Sequence, residues 1–204
     1  MKTTHPLPRL NQNWKIATTF AGILLAAVII AGCVVSSVYP YYQPKDVSFD
    51  AALLGKWIPA EKTNTSSQGE SWMFEKINDS IFKLTTVDGE TNQYDAVLFK
   101  IRDATFLDCL PRERREFSTP NHLLLRVESI QPQFKITLLD YTWLTKLIEK
   151  EPRAIRHIIV TNEAGFEGGG GYLTLTADTA ELQKFILKHL KTKEAWGEPL
   201  VMKR

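Results

Sequence analysis

Residues 71–87 read Ser-Trp-Met-Phe-Glu-Lys-Ile-Asn-Asp-Ser-Ile-Phe-Lys-Leu-Thr-Thr-Val. Two β-prone runs, 71–77 and 80–87, flank Asn78-Asp79, a pair that suits a tight hairpin. In the second run Phe82, Leu84 and Thr86 alternate with Ile81, Lys83 and Thr85. A period of two sends one set of side chains toward a core and the other toward water.

The same kind of segment recurs on both sides of the hairpin. Residues 55–58, 93–101, 105–110, 122–130 and 134–139 read as strands. Asp88-Gly89-Glu90, Arg102-Asp103 and Gln131-Pro132-Gln133 are the turns between them, and 60–69 and 111–116 are polar or mixed-charge loops. Turns roughly every 8–12 residues predict a mainly β chain, an antiparallel meander that closes as a barrel or a sandwich. Two segments break the period. Leu144, Leu147 and Ile148 place a helix over 141–151, which Pro152 ends. Leu182, Phe185, Ile186 and Leu190 place another over 179–191, with Asp178 as its N-cap. Residues 156–161 and 171–176 are expected as strands, and 199–203 as a short last one. Trp57, Trp72, Trp143 and Phe99 are the expected core. The same inward positions would line a cavity if the barrel were hollow.

Residues 16–39 form an uncharged apolar run, preceded by Lys2, Arg9 and Lys15 with no acid. Inside the run, Ile30-Ala31-Gly32-Cys33 resembles the lipobox of bacterial lipoprotein signal peptides. That resemblance implies cleavage before Cys33 and acylation of its thiol, a palmitate-type lipid anchor. A basic start, an apolar centre and small residues at the cut are what a secretory signal needs. The alternative is an uncut membrane helix over 16–39, since about 20 apolar residues suffice to span a bilayer. Tyr39, Tyr41 and Tyr42 would then form an interfacial belt, with Trp14 on the other side. Either way residues 1–32 are a signal peptide or part of an anchor, 33–44 are a tether, and 45–204 are one β-rich domain. Both readings place that domain outside the cytoplasm, in the cell envelope. Val34 after the cysteine points to the outer membrane if the host has one.

The rest of the chain is about the size of a single domain. Beyond residue 32 it carries 22 Lys and Arg against 23 Asp and Glu, a net of −1. That balance gives no support for nucleic-acid binding.

Gly55-Lys56-Trp57 resembles the Gly-X-Trp of the lipocalin-like, or calycin, barrels. The meander and the late helix at 179–191 also resemble that family. The resemblance implies a barrel floor closed by Trp57, packed under a basic residue after the last barrel strand. Thr176-Ala177-Asp178 holds that place, so the basic residue is expected to be missing. Asp140-Tyr141 echoes a middle motif of the family. The likeness implies an apolar or amphipathic small ligand, and the alternative is an interaction or scaffold protein with a filled barrel.

No catalytic motif, cofactor or metal ligand set is expected. His5, His122, His157 and His189 show no ligand spacing. Gly168-Gly169-Gly170-Gly171 lacks the Gly-Lys-Ser/Thr of a phosphate loop and is expected as a hairpin loop. No Gly-X-Ser-X-Gly elbow occurs. Asp103 and Asp108 are expected as turn and edge residues, and Cys109 as a buried structural thiol.

Overall fold

The computed structural model describes residues 34–60, 69–113, 119–160 and 172–204. The expected apolar helix or signal over 16–33 lies outside these residues, as do Cys33 and Gly168–Gly171.

The hairpin at 71–87 forms as expected. Its strands β3 (Ser71–Lys76) and β4 (Phe82–Asp88) pair from Ser71↔Val87 to Lys76↔Phe82. The Asn78 side chain builds the turn by accepting the Ser80 and Ile81 N–H groups at 2.8 and 2.9 Å. On either side lie β2 (Gly55–Pro59), β5 (Glu90–Ile101), β6 (Ala104–Pro111), β7 (His122–Ser129) and β8 (Phe134–Leu138). Each pairs antiparallel with the next. Gly89 takes φ +69° between β4 and β5, a left-handed conformation that glycine adopts without strain.

The meander supplies seven of the barrel strands, and the eighth comes from the far end of the chain. Strand β11 (Leu200–Lys203) pairs with β8 through Ile136↔Leu200 and with β2 through Ile58↔Lys203. The result is a closed antiparallel barrel of eight strands, consistent in outline with the lipocalin-like expectation. Closure removes the edges that would otherwise pair with other chains.

Two helices stand between β8 and β11. Helix α1 (Tyr141–Lys150) starts at Asp140, whose carboxylate accepts the Trp143 N–H at 2.6 Å. Helix α2 (Thr179–His189) starts at Asp178, which accepts the Glu181 N–H at 3.0 Å. Each cap satisfies a first-turn N–H group that has no partner within the helix.

The strands expected at 156–161 and 171–176 form, but outside the barrel. Strand β9 (His157–Val160) pairs with β10 (Tyr172–Leu175), and β10 pairs in parallel with β1 (Val35–Ser37). Strand β1 then joins the barrel at the start of β7, through Ser36↔Leu123 and Ser37↔His122. Strand β8 begins its pairing with β7 at Leu125, so β1 and β8 share one edge of that strand.

This corrects the expected tether at 33–44 and the domain start at 45. Val35 is 5% exposed and Tyr41 is 0% exposed. The Tyr41 N–H donates to Asp108 at 2.8 Å, and Gln183 of α2 donates to the Tyr41 carbonyl at 3.0 Å. Thr179 donates to the Pro40 carbonyl at 2.7 Å. The segment is therefore clamped between β6 and α2. A membrane helix running to Tyr39 is excluded for the same reason, because 35–37 are a paired strand. Tyr41 is core and Tyr42 packs on Phe99 at 5.9 Å, so the expected aromatic belt does not form.

Alternation along the wall serves two cores. Ala96 and Leu98 of β5, Leu107 and Cys109 of β6, and Leu125 and Val127 of β7 point into the barrel. Phe99, Ile101, Phe106 and Leu124 point outward, under the helices and the β1–β10–β9 sheet. Burying each such large apolar side chain contributes about 1.5–3 kcal/mol. Trp57 and Trp72 lie in the inner core, Phe99 in the outer one, and Trp143 is partly buried against the outer one.

Candidate functional site

Aromatic side chains fill the barrel interior. Trp57, Phe74, Phe82 and Phe134 are all 1% exposed or less. Phe134 stands at the centre, with ring centroids 5.5 Å from Trp57, 5.7 Å from Phe74 and 6.3 Å from Trp72. Edge-on and tilted contacts of this kind pack these rings closely against one another in the part of the interior they occupy.

Trp57 also closes one end. Its indole N–H donates to the Leu53 carbonyl at 2.8 Å, which fixes the ring over the turn Ala51–Leu53. Gly55 makes the bend into β2 with φ +105°, a conformation that an L side chain rarely adopts. The basic residue expected to be missing is present. Because β11 and not β10 is the last barrel strand, the residue that follows is Arg204. Its guanidinium lies 5.0 Å from the Trp57 ring centroid. It also donates to the Ala52 and Leu54 carbonyls at 2.8 and 3.2 Å.

A cleft of about 350 Å³ opens between the lead-in at 48–52 and the ends of β5 and β7, and a shallower one of about 530 Å³ lies at Glu151–Ala154 beside Lys188. Leu98 and Val127 form the base of the first, with Asp50, Lys100, Glu128 and Ser129 around it. These charges suit water or a polar group better than an apolar ligand.

Outside the barrel, Asp108 is buried among β6, β7 and the chain after β1. The sequence suggested an edge residue. The structure puts it in a middle strand, 1% exposed, with two partners. Its Oδ2 accepts the Tyr41 N–H, and its Oδ1 lies 2.7 Å from His122 Nδ1. A carboxylate accepts, so the proton between them sits on the imidazole. Asp103, by contrast, lies in the turn between β5 and β6, as expected.

A carboxylate holding Nδ1 of a histidine is also the orienting half of a Ser-His-Asp unit. Ser37 is the cross-strand neighbour of His122. However, Ser37 is fully buried and its hydroxyl accepts the Tyr39 N–H at 3.2 Å. No substrate carbonyl can reach it in this conformation. The cluster acts as a latch that ties residues 37–41 to the barrel wall. The Tyr41 hydroxyl lies beside it, and burial followed by the charge of Asp108 drives its pKa far above the ordinary phenol value.

The other sequence candidates are scattered. His157 Nδ1 lies 2.8 Å from the Ile155 carbonyl. His189 packs edge-on against Trp143 at 4.9 Å, and burial followed by nearby Lys188 lowers its pKa. Cys109 is buried inside the barrel, where desolvation pushes its thiol well above the ordinary value, Asp108 adding to the effect. Among the described residues no three His, Cys, Asp or Glu side chains converge on a common point.

No family model, curated protein or solved structure matches the chain.

Proposed function

We propose that this protein is a membrane-anchored domain of the cell envelope that acts through its outer surface, as an interaction or scaffold module. The filled barrel carries this reading. A carrier of apolar ligands needs a mostly apolar pocket of roughly 300–1,000 Å³, whereas Trp57, Phe74, Phe82 and Phe134 are packed in the interior and the cleft of about 350 Å³ is rimmed by Asp50, Lys100 and Glu128. Hence the scaffold alternative is favoured over apolar-ligand carriage.

The anchor rests on residues 16–33, with Cys33 as the lipid attachment point. Several acyl chains on one residue hold a protein to a bilayer stably, whereas one is marginal. An uncut helix over 16–34 is the second anchoring route. It retains 19 uncharged residues after β1 claims the remainder of the run, close to the length a span requires.

Intact mass of the membrane-extracted chain, measured beside a Cys33→Ala variant, tests the anchor. A chain that begins at residue 33 and carries acyl mass, both lost in the variant, is the expected result. An unmodified full-length chain that stays in the membrane would replace the lipid with the helix. A chain cut elsewhere and recovered free of membrane would overturn the proposal.

A further inference from the structure

We infer that the domain is held flush on the bilayer, with the free edge strand β9 and its Ile158 and Ile159 against the lipid surface. The inference rests on the anchoring proposed above and adds which face meets the membrane. Only Val34 separates Cys33 from the first residue of β1. Two residues reach at most about 7 Å when extended. The polar layer on each side of a bilayer is of that same order. Val35 therefore lies at headgroup depth. It does not extend as a tether, because Val35 pairs with Leu173, Ser36 and Ser37 pair on both edges, and the chain that follows is held at Pro40 and Tyr41 by Thr179, Asp108 and Gln183.

The register then places β9. Val35 pairs with Leu173, and Leu173 pairs with Ile159. Neighbouring strands lie about 4.8 Å apart, so Ile159 is about 10 Å from Val35. Among the described residues β9 ends the sheet, with no strand on its outer edge. Ile158 is 54% exposed and Ile159 is 40% exposed. Exposed isoleucines on both faces of an unpaired edge invite aggregation in water. At a lipid surface they bury apolar area, while headgroups and interfacial water can satisfy the edge N–H and C=O groups. A bilayer is also the one partner the anchor guarantees at that distance.

Ile77 supplies the control. It is 46% exposed and apolar, but it follows β3. Strand β3 stands opposite β7, four strands away around the barrel in either direction. The test uses the full chain reconstituted in liposomes that contain a nitroxide-labelled lipid. Ile159→Cys and Ile77→Cys variants carry an environment-sensitive fluorophore; buried Cys109 resists the label, acylated Cys33 has no free thiol, and the labelled parent chain reads any signal from Cys33. Flotation with the liposomes reads the anchor separately. The expected result is co-flotation of both variants, a blue-shifted emission at 159 quenched several-fold more by the lipid nitroxide than at 77, and an aqueous spectrum at 77. Co-flotation with an aqueous, unquenched probe at 159 would overturn the docking and leave the anchor standing. A blue shift at 159 without lipid quenching would mean that protein covers β9, a second copy included, and would also overturn it. Failure to float would overturn both.

Discussion

Asp108→Ala isolates the latch between the amino-terminal segment and the barrel. The substitution removes the acceptor of two buried donors at once, the Tyr41 N–H at 2.8 Å and the His122 Nδ1–H at 2.7 Å. Each buried donor left without a partner costs about 1–3 kcal/mol. Two such donors give a loss of about 2–6 kcal/mol. With an m-value of about 2 kcal/mol/M in urea, that lowers the unfolding midpoint by about 1–3 M. Asp108→Asn keeps one carbonyl oxygen as acceptor, so its loss should be about half as large. Urea unfolding of the intact chain, followed by tryptophan emission, measures both. Hydrogen exchange at the Tyr41 amide adds a local readout, and its protection should fall in step. A loss below about 1 kcal/mol in Asp108→Ala, with Tyr41 still protected, would refute the latch.

Three further outcomes follow from the same structure. Arg204→Ala should cost about 0.5–1 kcal/mol through the lost contact over Trp57, and it should red-shift the tryptophan emission as the barrel floor opens to water. Phe134→Ala should cost about 3–5 kcal/mol in a denaturant titration and create the apolar cavity that the native barrel lacks, detectable as xenon or benzene binding absent from the parent chain. The raised pKa of Cys109 makes stability pH-dependent on the alkaline side. The unfolded thiol ionises near 9.0 and the folded one well above it. The folded state thus holds the proton longer, and stability is full below about pH 9 and declines as pH rises further. Cys109→Val should flatten the part of that decline between pH 9 and 10, while buried Tyr41 sustains the remainder above 10.

Much of the barrel was legible because its signals are local. The hairpin at 71–87 announces itself by alternation and by Asn78, both helices by their stripes, and the second also by its Asp178 cap; the Asp140 cap emerges only in the structure. What escaped the sequence depends on distant partners. Leu200–Lys203 is four residues long, and nothing in it says that it closes the barrel against β2, far away in the chain. Mistaking β10 for the last barrel strand then hid Arg204. Val34 and Val35 continue an apolar run, and apolar residues suit a membrane span and a buried strand equally. Only pairing with β7 and β10 decides between them. A lone Asp108 in an apolar strand resembles an edge residue until Tyr41 and His122 arrive from elsewhere in the chain. Hollow and filled barrels share one pattern of inward residues. The packing of Phe134 against three aromatic rings distinguishes them.

Native mass spectrometry of the membrane-extracted chain tests most directly the claim that the barrel works from its surface. The account predicts a single species, the chain with its anchor and no other bound molecule. A discrete additional mass of small-molecule size would contradict it, if that mass survived gentle activation and persisted when Ile158 and Ile159 were replaced by serine. Such a species would mean an interior that opens to hold a ligand.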